Sequence, residues 1–171
     1  MVKQLVLARL LVVKKKMDLE TEKMKVRKIE RGIVIDHMKG ATALRVLHAL
    51  GIDEKFPGTV SVVMNVPSKR LGFKDIIKIE GRGIAKKELE KIALIAPDAT
   101  INIISNYAIS EKYRVQLPNS LVGLVKCPNP NCISNHEGIS NLEVQPHAPA
   151  GPISVRCHFC ERLYAQDDLE Y

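Results

Sequence analysis

The chain of 171 residues holds four cysteines, Cys127, Cys132, Cys157 and Cys160. Four residues separate the first pair, two the second, and 24 lie between the pairs. Two close pairs joined by a loop suit a tetrahedral four-thiolate zinc site, because each pair wraps one edge of the ion. Pro128, Asn129, Pro130 and Asn131 favour a tight turn inside the first pair. Four protein ligands leave no coordination position for water, so such a site is structural and not catalytic. Disulfides are the competing reading; the lack of a secretory signal disfavours it. His136, His147 and His158 lie near the cysteines but are not needed while four thiolates are present.

Charge divides the chain. Net charge is +7. Residues 26–117 hold 16 Lys/Arg against 10 Asp/Glu, and residues 118–171 hold 3 against 6. The basic segment attracts anions. An acidic zinc segment is the wrong sign for gripping nucleic-acid backbone. Aromatics are only 4% and tryptophan is absent, so stacking platforms for single strands are scarce. An RNA-binding zinc-ribbon protein, which the pI of about 9.3 and the cysteine pairs favour, is therefore the alternative reading. A free-standing metalloenzyme needs an open metal site, and the sequence offers none. Residues 5–13 are apolar, but Arg9 interrupts them and three lysines follow, the wrong order for a signal peptide and too short for a membrane span. The expected location is cytoplasmic. For residues 1–23 three readings stand: a start assigned too early, a flexible arm, or a packing segment.

The elements that would position these groups follow from periodicity. Residues 26–36 read as strand, turn, strand across Gly32. Residues 41–50 read as a helix with Ala43, Leu44, Leu47 and Leu50 on one face and Gly51 as its stop. Residues 59–66 are a β-branched strand, and 74–80 its return. A second helix spans 85–95, with Leu89, Ile92 and Ala93 inward, and Pro97 ends it. Strands at 100–104 and 107–115 follow. Strand pairs separated by single helices predict an α+β fold: a two-layer ferredoxin-like sandwich, an antiparallel sheet with two helices on one face. Residues 118–120 read as a linker. Short strands at 121–125, 142–144, 153–156 and 163–164 then frame the cysteines as a small all-β zinc-binding domain. The expected division is an extension over 1–23, a first domain over 24–117 and a zinc domain over 118–171.

Several strings carry a resemblance. They are RGIVIDH at 31–37, NVPS at 65–68, KDIIKIE at 74–80, APDATIN at 96–102, CPNPNCIS at 127–134 and CHFCE at 157–161. Together, over about residues 25–171, they resemble the regulatory chain of aspartate carbamoyltransferase, the enzyme of the committed step of pyrimidine synthesis. The resemblance implies a non-catalytic chain whose first domain binds nucleoside triphosphates, with CTP as inhibitor and ATP often as activator. It implies a zinc domain that docks on the catalytic chain, and regulatory dimers that bridge catalytic trimers.

It also implies site residues. Lys74, Lys78 and Lys112 match positions at the effector pocket, and lysine suits polyphosphate as a compact charge on a mobile stem. Asp36 and His37 match nucleotide-contacting positions. A carboxylate accepts from ribose hydroxyls and imidazole donates to phosphate. As neighbours on a strand they are expected to point to opposite faces. Val26, Arg27, Lys28 and Ile29 match a segment whose backbone reads the base edge, although their side chains differ from familiar relatives. Asn102, Ile104, Tyr107 and Ile109 match the opposite wall. Residues 1–23 exceed the usual start of the family. Its N-terminal arm lies near the effector site and helps mate the regulatory pair. The domain hinge is expected near residues 117–121.

Overall fold

Isoleucines recur at a spacing of two, Ile33 with Ile35 and Ile77 with Ile79, along two segments that become the central strands of the first sheet. In Gly32–Lys39 (β1) Ile33 and Ile35 are buried, and in Gly72–Glu80 (β3) so are Ile77 and Ile79. The period of two sends these side chains to one face. The computed structural model, which describes residues 27–145 and 153–171, completes this sheet with Val60–Ser68 (β2), Thr100–Ser105 (β4) and Ala108–Arg114 (β5). The order is β2-β3-β1-β4-β5, and every neighbouring pair is antiparallel. Helices Ala43–Ala49 (α1) and Lys86–Ile95 (α2) pack their apolar sides into the same core as these isoleucines. The result is the expected ferredoxin-like sandwich with β5 added at one edge. Gly32 permits the close approach of β1 to β3: its φ is 145°, and a Cβ there would strike the Ile79 carbonyl.

Three local expectations need correction. Residues 27–31 form no strand; the chain enters the sheet only at Gly32. Leu44 is 63% exposed, while Val46 and Ala49 are buried, so α1 is rotated from the expected phase. The Asp75 carboxylate explains the rotation. It accepts from the backbone N–H groups of Thr42 and Ala43, both at 2.9 Å, and so fixes how the helix starts. Its other oxygen accepts from Asn65 N at 2.9 Å. Asp75 is fully buried between two bulges, one in β1 between Ile35 and Met38 and one in β2 between Val63 and Val66. Finally, Leu94 on α2 is fully buried but not against the first core.

It packs into a second core with Leu121, Leu124, Val125, Leu142, Val155 and Leu169. That core belongs to a four-stranded antiparallel sheet: Ser120–Val122 (β6), Asn141–Val144 (β7), Ser154–Cys157 (β8) and Leu163–Ala165 (β9), in that order. The strand expected over 121–125 stops at Val122, where Gly123 turns the chain with a φ of 62°. A single helical turn, Ile133–His136 (α3), interrupts the otherwise all-β module. Leu117 and Tyr171 pack against both cores, and Gln166 Nε2 donates to the Ile95 carbonyl at 2.9 Å. The two sheets are therefore joined by packed side chains as well as by the linker.

Candidate metal centre and effector face

Loop chemistry brings the cysteines together. Cys132 N donates to the Asn129 carbonyl at 3.0 Å, and Asn135 Nδ2 staples the carbonyls of Cys127 and Asn129, both at 2.9 Å. Opposite, Glu161 N donates to the Cys157 carbonyl at 2.9 Å, with Glu161 in the left-handed region at a φ of 57°. Each pair thus forms a tight knuckle. All four sulfurs lie within 4.8 Å of one another. Cys127 and Cys160 are 3.7 Å apart at Sγ, and Cys132 and Cys157 3.8 Å. A disulfide needs about 2.05 Å. Tetrahedral ligation at about 2.3 Å puts sulfurs about 3.8 Å apart. The donor set therefore fits a thiolate-bound metal and no disulfide. His136 and His158 are not part of the cluster; His158 lies 3.8 Å from Glu143 instead, and His147 falls outside the described residues.

The surroundings divide the thiols. Burial pushes the Cys127 thiol up to about 12. Burial also opposes ionisation of Cys160, but hydrogen bonds from Tyr164, the Arg162 backbone and other cysteines outweigh it and bring the thiol down to about 6. Cys132 is lowered chiefly by the Ser134 hydroxyl, 3.1 Å away. Ser134 and Tyr164 were not foreseen, although Ser134 lies only two residues from Cys132; Tyr164 reaches Cys127 across 37 residues through the fold.

Most of the other candidate residues collect on the face of the first sheet away from the helices, where Asn102 at the centre is itself buried. Lys78 on β3 registers with Val34 on β1, Val34 with Asn102 on β4, and Asn102 with Lys112 on β5. Directly opposed residues share a face, so these four form one row across roughly 14 Å, at about 4.8 Å per strand. A second row runs Asp36, Thr100, Arg114. Arg114 was missed, although its period-two relation to Lys112 is visible in sequence. Lys74 is four residues before Lys78 on the same strand and face. Its Nζ donates to both Asp36 oxygens, at 2.8 and 3.1 Å.

His37 departs from expectation. Its φ of 62° in the β1 bulge breaks the alternation, so its imidazole turns beside Asp36 rather than to the opposite face. Nδ1 lies 3.4 Å from Asp36 Oδ2 and, although buried, makes no hydrogen bond. Burial holds this imidazole below its ordinary value; Asp36 opposes the shift, and Lys74, Arg70 and Lys112 reinforce it. Lys78 is likewise lowered by burial, and its Nζ donates to the Arg27 carbonyl at 2.7 Å. That bond brings the segment of Arg27, Lys28 and Ile29 to the same face; Ile29 is buried and the other two are exposed. Tyr107 N donates to the Glu30 carbonyl at 3.1 Å. The Tyr107 and Ile109 side chains are exposed near the β4–β5 turn, whereas Ile104, which registers with Ile109, is buried. Val26 lies outside the described residues.

A sandwich with a cationic face, joined to a four-thiolate module, defines a two-part chain whose second part is built to hold a metal. Residues 24–116 match the family described as aspartate carbamoyltransferase regulatory chain, allosteric domain, and residues 119–170 match the metal binding domain of the same chain. The chain belongs to the aspartate carbamoyltransferase regulatory chain family. It is 45% identical over 149 residues to the regulatory chain of Thermococcus kodakarensis, covering 86% of this chain and 96% of that one. Identity to the Korarchaeum cryptofilum regulatory chain is 46% over 151 residues, covering 86% and 94%. Identity to that of Thermoplasma acidophilum is 45% over 148 residues, covering 85% and 96%. These relatives are named regulatory chains, and the chain is a regulatory and not a catalytic subunit. No described helix is long and apolar enough to cross a membrane.

Proposed function

We propose that the chain binds CTP, and ATP in competition with it, on the open face of its first sheet, and passes the binding energy to a catalytic chain of aspartate carbamoyltransferase through its metal module. The observation that carries this reading is the row Lys78–Val34–Asn102–Lys112, flanked by Lys74 and Arg114: a concentration of cationic side chains on one face. Lysine and arginine there meet phosphate oxygens, Asn102 and Asp36 offer hydrogen bonds to sugar or base, and the backbone of residues 27–29 reads the base edge. Zinc is the metal, held by Cys127, Cys132, Cys157 and Cys160, and it supplies a cross-link that folds the module.

The module is acidic yet leaves Val122, Ile133, Ile139, Phe159 and Leu163 substantially exposed, which supports a protein partner, the catalytic chain, over nucleic acid. Regulatory dimers joining catalytic trimers complete the reading, in the cytoplasm and in control of pyrimidine synthesis. The working division is a nucleotide-binding domain over 24–117 and a metal module over 118–171. An effector shifts the assembly only by binding one of its states more tightly than the other. The coupling expected is about 1–3 kcal/mol.

The test is calorimetric titration of CTP into the zinc-loaded chain at moderate salt, followed by aspartate saturation of the complex with catalytic chain. Saturable binding and a shifted saturation curve are expected. A chain that ignores CTP but binds generic RNA in a salt-dependent way would overturn the reading.

A further inference from the structure

Among the described residues the Tyr164 hydroxyl has no hydrogen-bond partner except sulfur. It lies 3.5 Å from Cys160 Sγ and 3.6 Å from Cys127 Sγ, one thiol from each knuckle. The ring is held in place: Tyr164 sits on β9 opposite Val155 and packs against both the cysteine cluster and the aliphatic core of the module. Cys160 is also the one cysteine of the four that is not buried. The donor therefore stands beside the thiol most open to attack.

We propose that Tyr164 is a positioning residue of the metal centre: its single hydroxyl proton, shared between the Cys160 and Cys127 thiolates, ties the two knuckles together and shields the exposed sulfur. A metal-bound thiolate has lone pairs and no proton of its own, so it accepts this bond. Sharing a lone pair with a phenol proton lowers the sulfur's reactivity toward electrophiles and slows departure of the metal. Ser134 does the same for Cys132 from the other side, at 3.1 Å. Among the described residues Cys157 makes no hydrogen bond to a hydroxyl, and it is completely buried. Outer partners of metal ligands commonly contribute about 10–100-fold to metal affinity.

The proposal rests on the metal reading above, and the test separates the two. The full chain and its Tyr164→Phe variant are loaded with zinc and treated with a thiol-alkylating reagent, with release followed by a chromogenic chelator. The variant keeps the ring and loses only the hydroxyl. It is expected to release zinc about tenfold faster, with Cys160 alkylated first. With cobalt in place of zinc, its thiolate-to-metal charge-transfer band is expected at lower energy, a change that altered packing alone does not produce. A variant with wild-type release and an unmoved band overturns the proposal while leaving the metal site intact. A wild-type chain that takes up no metal overturns both. If the variant fails to fold, the cadmium-113-loaded wild-type chain decides: a tyrosine hydroxyl proton scalar-coupled to cadmium supports the bond, and its absence overturns it.

Discussion

Arg45 and Asp167 are 122 residues apart in sequence and meet at 2.6 Å, joining α1 of the first sheet to the turn that follows the second. The same guanidinium donates to the Gln166 carbonyl at 3.4 Å and lies over the Tyr171 ring, 5.8 Å from its centre. Asp167 is largely exposed, so the ion pair itself adds at most about 1 kcal/mol. Its consequence is orientation: together with the Gln166–Ile95 bond it fixes how the metal module sits on the helices. Arg45→Ala is expected to change overall stability little, yet to speed hydrogen exchange at the amides of Gln166 and Leu169 and to weaken the effect of CTP on the catalytic complex. Unchanged exchange and an unchanged CTP effect would show that the pairing of the two sheets does not depend on Arg45.

Asp75 carries a larger structural burden. Its fully buried carboxylate accepts from three backbone donors, those of Thr42, Ala43 and Asn65. Asp75→Ala leaves the Ala43 and Asn65 N–H groups unpaired, with Thr42 N keeping only the Lys39 carbonyl at 3.3 Å, and is expected to cost at least about 2 kcal/mol. Asp75→Asn keeps one acceptor oxygen and should cost less. Urea denaturation of both variants measures the difference; equal stability for Asp75→Ala and wild type would mean that the two bulges find other partners.

Asp75 also marks a limit on what could be read from sequence. The cysteine knuckles were legible because their geometry is local: spacing and turn formers suffice. The central strands were legible because β-branched residues crowd β1 and β3, with isoleucine alternating in part along each. The phase of α1 was not, since it depends on Asp75, 32 residues away along the chain from Ala43. Burial of Leu94 answers to a second core that periodicity on α2 cannot reveal. His37 defeated the alternation rule because a bulge is invisible without its partner strand. Tyr164 offered no signal, since it reaches sulfur only after β9 pairs with β8.

On the effector face, Lys112→Ala is expected to weaken CTP binding roughly tenfold, the usual order for one charge-assisted contact. Arg114→Ala should also weaken it, because Arg114 lies on the same face one row away. Lys55→Ala, in the exposed loop after α1, serves as the control and should bind as wild type. Calorimetry at a single salt concentration makes the comparison. If Lys112→Ala binds like the control, the phosphates lie elsewhere.

The depressed imidazole of His37 predicts the pH dependence of binding. In the free chain its value lies below 6.5, through burial and the nearby cations Lys74, Arg70 and Lys112. A bound triphosphate neutralises those cations and favours the protonated ring, so it raises the value. Between the lowered free value and the raised bound one, binding takes up a proton, and affinity rises as pH falls through that window. Titrations in buffers of different ionisation enthalpy should report an uptake that grows as pH falls below the ordinary imidazole range, and His37→Asn should abolish it. Uptake that persists in the variant assigns the proton to another group.

Metal removal tests how the two halves depend on each other. Without the ion, four thiol groups crowd a buried site that no disulfide closes, and the module loses its main cross-link. Residues 118–171 are expected to unfold. The effect should then reach the first domain, because Leu94 on α2 loses the core that covers it. Exposing one leucine costs about 2 kcal/mol, and the Gln166 bond to Ile95 goes with it. The stripped chain should therefore keep its five-stranded sheet with a lower melting temperature, and should lose its hold on the catalytic chain. Calorimetric melting before and after chelation, with sedimentation of the mixture with catalytic chain, measures both. A metal-free chain that melts and assembles as before would mean that the module folds on its aliphatic core alone.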